Sequence, residues 1–244
     1  PRTGASVSDP SHAEAAAEAP PPVRRRHHGV VRLTHWLNAV FLTGMIASGL
    51  QILVAFQHFG SKNAVLGVFN PFDRDRIGQI PEVVRLGGWL AAGLRWHFTL
   101  AWPFVLTGLL YAVFLAASGE WRKLVFRPRD LPGALEMVKY YLRIRKDHPP
   151  QGKHNPLQKG AYSFAIALGV LSVLTGFAIA KPVQLAPLTA LFGGYELARY
   201  WHFVSVWCFT LFTLGHVVMV FVADPASLRA IITGRYRGRF PDAP

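Results

Sequence analysis

From about residue 24 onward, long apolar stretches alternate with shorter basic connecting segments. Four stretches, about 33–56, 96–117, 161–180 and 201–222, each meet the roughly 20-residue length that a helix needs to cross a bilayer. The third, "AYSFAIALGVLSVLTGFAIA", contains no charge at all. This pattern predicts an all-α membrane protein, a four-transmembrane-helix bundle over residues 23–240 with both termini on the same side. Residues 1–22, rich in Ala, Pro and small polar side chains, have nothing to bury and read as a disordered tail. The connection 57–95 ends in "IPEVVRLGGWLAAGLR", which suits an interfacial helix or an outward extension of the second span. A signal-peptide or twin-arginine reading of "VRRRHHGVVR" fits poorly, because the apolar stretch behind it is too long and no cleavage site follows.

Composition agrees with a membrane class, since 51% of the 244 residues are hydrophobic. The excess of 26 Lys and Arg over 13 Asp and Glu also suits a nucleic-acid binder, and distribution decides between the two. Residues 1–32, 118–160 and the C-terminal tail carry 19 of the basic residues, and the opposite side carries 7. So one-sided a bias places both termini in the cytoplasm and explains the basic charge without nucleic acid. The single cysteine, Cys208, lies in an apolar run and excludes a disulfide framework. There is no C-x-x-C-H for covalent haem attachment and no H-E-x-x-H, P-loop or dinucleotide fingerprint.

Four of the ten histidines fall inside or at the lip of a predicted span: His35, His97, His202 and His216. Polar side chains at membrane depth are costly and mark function. The predicted orientation puts His97 and His202 near the outer face and His35 and His216 near the inner face. His202 and His216 are fourteen positions apart, almost four helical turns, so both point to nearly the same side about 21 Å apart in height. One helix thus offers a ligand to each of two stacked sites. Two imidazoles facing each other suit six-coordinate b-type haem, where the porphyrin supplies the four remaining nitrogens. A zinc site or a proton path is the alternative, but no acidic residue falls in the core of any span.

Glycines share those helix faces: Gly49 lies fourteen after His35 and Gly108 eleven after His97. Each would admit a flat macrocycle close to the backbone, or serve ordinary helix packing. Arg32, Arg95 and Arg199 lie two or three positions before a histidine. They suit either the bidentate capture of haem propionates or snorkelling at a helix end. An echo links "RWHF" at 95–98 with "YWHF" at 200–203, each opening a span.

The stretches "RLTHWLNAVFLTGMIASGLQI", "RWHF", "HNPLQKGAYSFAIALGVLSVLTG" and "ARYWHFVSVWCFTLFTLGHVVMV" together resemble the membrane di-haem cytochrome b subunits of bacterial respiratory complexes. Formate dehydrogenase, nickel–iron hydrogenase and thiosulfate reductase complexes contain such subunits. The resemblance covers about 24–240 and implies a protein of the bacterial inner membrane with two b haems, ligated by His35, His97, His202 and His216. It implies electron transfer between the quinone pool, ubiquinone or menaquinone, and an oxidoreductase subunit on the periplasmic side. "FGGYELARYWHF" looks most like relatives that pair with molybdenum oxidoreductases. It also implies a quinone site near the inner haem, which here would use Asn155 and Gln158. Beside them, by its chemistry, His154 suits a proton shuttle and Lys159 a source of positive charge. Helix capping by Asn155 ahead of Pro156 is the plain alternative. Two other functions remain open on the residues alone: a self-sufficient quinol-oxidising membrane cytochrome, and a metal or proton transporter using the same histidines.

Overall fold

The computed structural model describes residues 23–56, 79–149, 154–223 and 225–237. The tail 1–22 and the first part of the 57–95 connection lie outside the described residues. Short strand β1 (Val23–Arg25) leads into α1 (Gly29–Ala55), and α2 spans Leu90–Ser118. A one-turn helix α3 (Trp121–Leu124) and helix α4 (Leu131–Tyr141) follow, then α5 (Pro156–Ala180) and the short α6 (Ala186–Leu191). Finally come α7 (Tyr195–Ala223), α8 (Pro225–Thr233) and strand β2 (Arg235–Arg237).

Helices α1, α2, α5 and α7 are long and apolar enough to cross a membrane. Their exterior carries the large hydrophobic side chains, among them Leu106, Leu109, Val113, Leu211, Val218 and Val222. Among the buried positions small and hydroxylated residues are prominent, Thr34, Ser48, Thr107, Thr175 and Ser205, beside a few large ones such as Leu168 and Phe203. That inversion follows from the solvent, because lipid tails are as apolar as leucine and helices associate through small residues and hydrogen bonds. The hydroxyls stay satisfied by donating back to the carbonyl one turn earlier, as Thr34 does to Val30 (2.9 Å) and Ser48 to Gly44 (2.8 Å).

The closest packing is pairwise, α1 with α2 and α5 with α7. A Cβ on Gly44 would lie 2.5 Å from Leu100 Cδ1, so glycine lets α2 approach there. Ser172 Oγ and Ser205 Oγ, 2.8 Å apart, join the second pair. Around residue 90 the structure chooses between the two expectations: the apolar run before Arg95 extends the second span outward, with a one-turn 3-10 helix at Glu82–Val84 ahead of it.

The first and last described segments meet at one end of the bundle. Strand β1 pairs antiparallel with β2, and Arg26 N donates to Gly234 O at 3.0 Å. Arg32 donates to the carbonyls of Ile231 and Ile232, which tie α8 to the start of α1. The segments entering the first span and leaving the last therefore lie on the same side, as a bundle of four spans requires. Helix α4 buries Ala134 and Met137 against α5, close to the start of that span.

Candidate functional site

Two histidine pairs sit between the helix pairs. At the end bearing the β-ribbon, His35 of α1 faces His216 of α7 with ring centres 6.2 Å apart and planes inclined by 58°. At the far end, His97 of α2 faces His202 of α7 at 6.1 Å and 74°. The partners are those that depth along the spans and the fourteen-residue spacing predict. Two imidazoles that shared one metal ion at bonds of about 2.0–2.1 Å would stand with ring centres roughly 6 Å apart. Both pairs have that separation.

At the far end each imidazole is fixed by a hydroxyl on the neighbouring helix. Ser48 Oγ of α1 lies 3.0 Å from His97 Nδ1, and Thr175 Oγ1 of α5 lies 3.0 Å from His202 Nδ1. Each hydroxyl has only one proton, and it is already engaged with a carbonyl of its own helix, Gly44 O at 2.8 Å and Leu171 O at 2.7 Å. The oxygen is left as an acceptor, and the backbone carbonyls of Met45 and Ser172 also accept from the His97 and His202 rings, so Nδ1 carries the hydrogen and Nε2 keeps its lone pair for a metal. The next residue on each helix is glycine. A Cβ on Gly49 would lie 3.7 Å from His97 Cε1, and one on Gly176 would lie 3.4 Å from His202 Cε1. Each far-end ring thus lies against a hydroxyl–glycine dipeptide.

The ribbon-end pair is built differently. His35 Nδ1 is buried and has no hydrogen-bond partner among the described residues. His216 lies against Phe212 one turn earlier, with ring planes 5° from parallel. Nothing lies within 4 Å of a Cβ on Gly108, so no neighbouring side chain accounts for that glycine.

Elsewhere the predicted site residues are dispersed or otherwise engaged. Arg199 bonds Glu196 at 3.0 Å, and its guanidinium lies over the Phe56 ring at 4.5 Å, near the far-end pair. Arg95 is exposed. Arg32 is taken up by the carbonyls of α8. Asn155 and Gln158 form a reciprocal cap: Gln158 N donates to Asn155 Oδ1 at 2.8 Å and Asn155 N to Gln158 Oε1 at 3.1 Å. The cap uses both amide oxygens. Lys159 pairs with Asp130 at 3.0 Å, so its charge is largely compensated. His154 lies edge-on to Tyr162, ring centres 5.4 Å apart. Sequence reasoning missed Ser48, Thr175 and Gly176. A hydroxyl followed by glycine is the available signal, but Thr43–Gly44 and Thr107–Gly108 share it without touching a histidine nitrogen.

Among the described residues, no group of three or more His, Cys, Asp or Glu side chains stands ready to hold a metal ion. A bare zinc ion takes four ligands. Paired imidazoles fit a metal whose other ligands arrive with it, and an apolar gap between helices suits a porphyrin. The fold and the two histidine pairs therefore define a membrane cytochrome of the b type. The chain belongs to the prokaryotic cytochrome b561 family, whose model matches residues 26–234, and is an electron-transport protein of the membrane with haem b as cofactor. Among its relatives is YedZ1 of Azospira oryzae, named as a protein-methionine-sulfoxide reductase subunit, 35% identical over 85% of this chain and 96% of the relative. A Ni/Fe-hydrogenase B-type cytochrome subunit of Cupriavidus necator is 24% identical over 85% of this chain and 83% of its own length. The Ni/Fe-hydrogenase 1 B-type cytochrome subunit of Escherichia coli is 26% identical over 85% and 86%.

Proposed function

We propose that this chain is the membrane electron-transfer subunit of an oxidoreductase complex and holds two b haems, one at each histidine pair. The observation that carries this is the pair of separations, 6.2 Å and 6.1 Å, with α7 contributing to both. Bound haem supplies one-electron chemistry, cycling its iron between ferric and ferrous states. The chain supplies position. His202 and His216 hold the two sites about 21 Å apart in height on one rigid helix. The lipid-facing hydrophobic exterior fixes the whole bundle in the bilayer.

The ribbon end, with its termini and basic connections, lies in the cytoplasm of a bacterial inner membrane, as the charge bias indicates. The far end faces the periplasm and a partner oxidoreductase subunit. The names of the relatives, a sulfoxide reductase subunit and two hydrogenase subunits, support such a partner; the resemblance of "FGGYELARYWHF" is what favours one of the molybdenum type. Arg95 and Arg199 stand at that end as candidates for the propionates. Arg199 would exchange part of its contact with Glu196 for a carboxylate of the cofactor.

Quinone exchanges electrons at the ribbon end, beside the start of α5. Asn155 and Gln158 commit their oxygens to the cap, and among the described residues no hydrogen bond takes their amide NH2 groups. Those groups remain available to donate to a quinone carbonyl. Capping and quinone binding thus use different atoms of the same two side chains. Oxidation of a quinol analogue by membranes containing the haem-loaded protein tests the proposal. Reduction of both haems is expected, slowed in Asn155→Ala and Gln158→Ala with both haems retained. Unchanged rates and unchanged inhibitor affinity in both variants would remove the quinone from this stretch.

A further inference from the structure

The two hydroxyls at the far end do more than fill space. Ser48 and Thr175 come from different helices, α1 and α5, and reach different histidines, yet their geometry matches. Each lies 3.0 Å from Nδ1, each is fully or almost fully buried, and each spends its proton on its own helix. Each is followed by a glycine that lies against the same ring. The ribbon-end pair has no counterpart, since His35 Nδ1 lacks a partner among the described residues.

We infer that Ser48 and Thr175 are positioning residues that lock His97 and His202 in the Nδ1–H tautomer and thereby lower the reduction potential of the far-end haem. The inference rests on the proposal that His97 and His202 hold haem. The physical link is the hydrogen bond on the side of the ring away from the metal. An Nδ1–H that donates to an oxygen leaves the imidazole richer in electron density and a more basic ligand. A more basic ligand favours the more positive ferric state over the ferrous state. Reduction becomes harder, and the potential falls. Loss of the acceptor reverses this, and it also frees the ring to rotate.

The test uses the full chain in detergent or nanodiscs, with haem loaded, and follows each haem by optical redox titration and low-temperature electron paramagnetic resonance. Thr175→Val keeps the shape and removes the hydroxyl acceptor at His202, and Ser48→Ala removes the one at His97, while the backbone carbonyls of Ser172 and Met45 stay in reach of the rings. Each is expected to favour reduction of the far-end haem about tenfold, an upward shift of about 59 mV for one electron, with the ribbon-end haem unchanged. Thr175→Ser and Ser48→Thr restore an acceptor and should return the wild-type potential. An unchanged far-end potential in both Thr175→Val and Ser48→Ala, with two haems still bound, would overturn the inference.

Nitrogen-15 spectra of histidine-labelled protein without haem give an independent readout. His97 and His202 should show hydrogen on Nδ1, and an Nε2–H tautomer at both would overturn the inference even where a variant loses its haem. Wild-type protein that binds no haem would refute the underlying proposal instead, which separates the two failures.

Discussion

At the scale of single residues, the far-end site depends on how closely a backbone can lie against an imidazole. A Cβ at Gly49 would stand 3.7 Å from His97 Cε1, an ordinary van der Waals contact, so Gly49→Ala should keep both haems. Valine adds two methyl groups where there is no such room. Gly49→Val should displace the His97 ring and selectively lose the far-end haem, read as a halved pyridine haemochrome signal. Retention of both haems with unchanged spectra would mean that the ring has more freedom than the structure gives it. Gly49 was legible in the sequence because it returns to the face of His35 after fourteen residues. Ser48 and Thr175 were not, because a membrane helix contains many hydroxyls whose only task is to bond the previous turn. Which of them meets a histidine depends on the rotation of one helix against another, and no single span encodes that.

At the scale of elements, all four spans were legible, but their ends were not. Helices α2, α5 and α7 begin at Leu90, Pro156 and Tyr195, five or six residues before the apolar stretches that predict them. Charged residues, Arg95, Lys159 and Glu196, fall within the first two turns of these helices, ahead of the apolar stretches, and charge is tolerated near a helix end. Hydropathy measures the thickness of the lipid, whereas caps set the length of the helix. Loss of the Asn155 cap should accordingly cost about 1 kcal/mol of stability, measurable as a lower melting temperature of Asn155→Ala.

The anchoring of α4 carries a pH dependence. Burial pushes the Asp130 carboxyl up, but hydrogen bonds from Lys159 and the Arg127 backbone outweigh it and hold the group below its ordinary value. The stability it contributes is therefore present above about pH 4, its unfolded range, and is lost as pH falls further. Asp130→Asn should abolish that part of the acid sensitivity; an unchanged acid profile of thermal unfolding would show the pair to be inert.

At the scale of the whole molecule, the pairing of β1 with β2 brings the first and last described segments together at the His35–His216 end. With 19 basic residues on the side of the N-tail, the 118–160 connection and the C-tail against 7 on the other, the proposed orientation puts that end in the cytoplasm. A reporter fused at Pro244 should be active only there, and activity confined to the periplasm would invert the bundle. What most directly decides whether the bundle carries two haems is stoichiometry combined with one ligand substitution. Wild-type protein should contain two b haems per chain by pyridine haemochrome, and His97→Ala should contain one, with the ribbon-end spectrum intact. A single haem in the wild type, or two haems with unchanged redox titration in His97→Ala, would contradict the stacked arrangement.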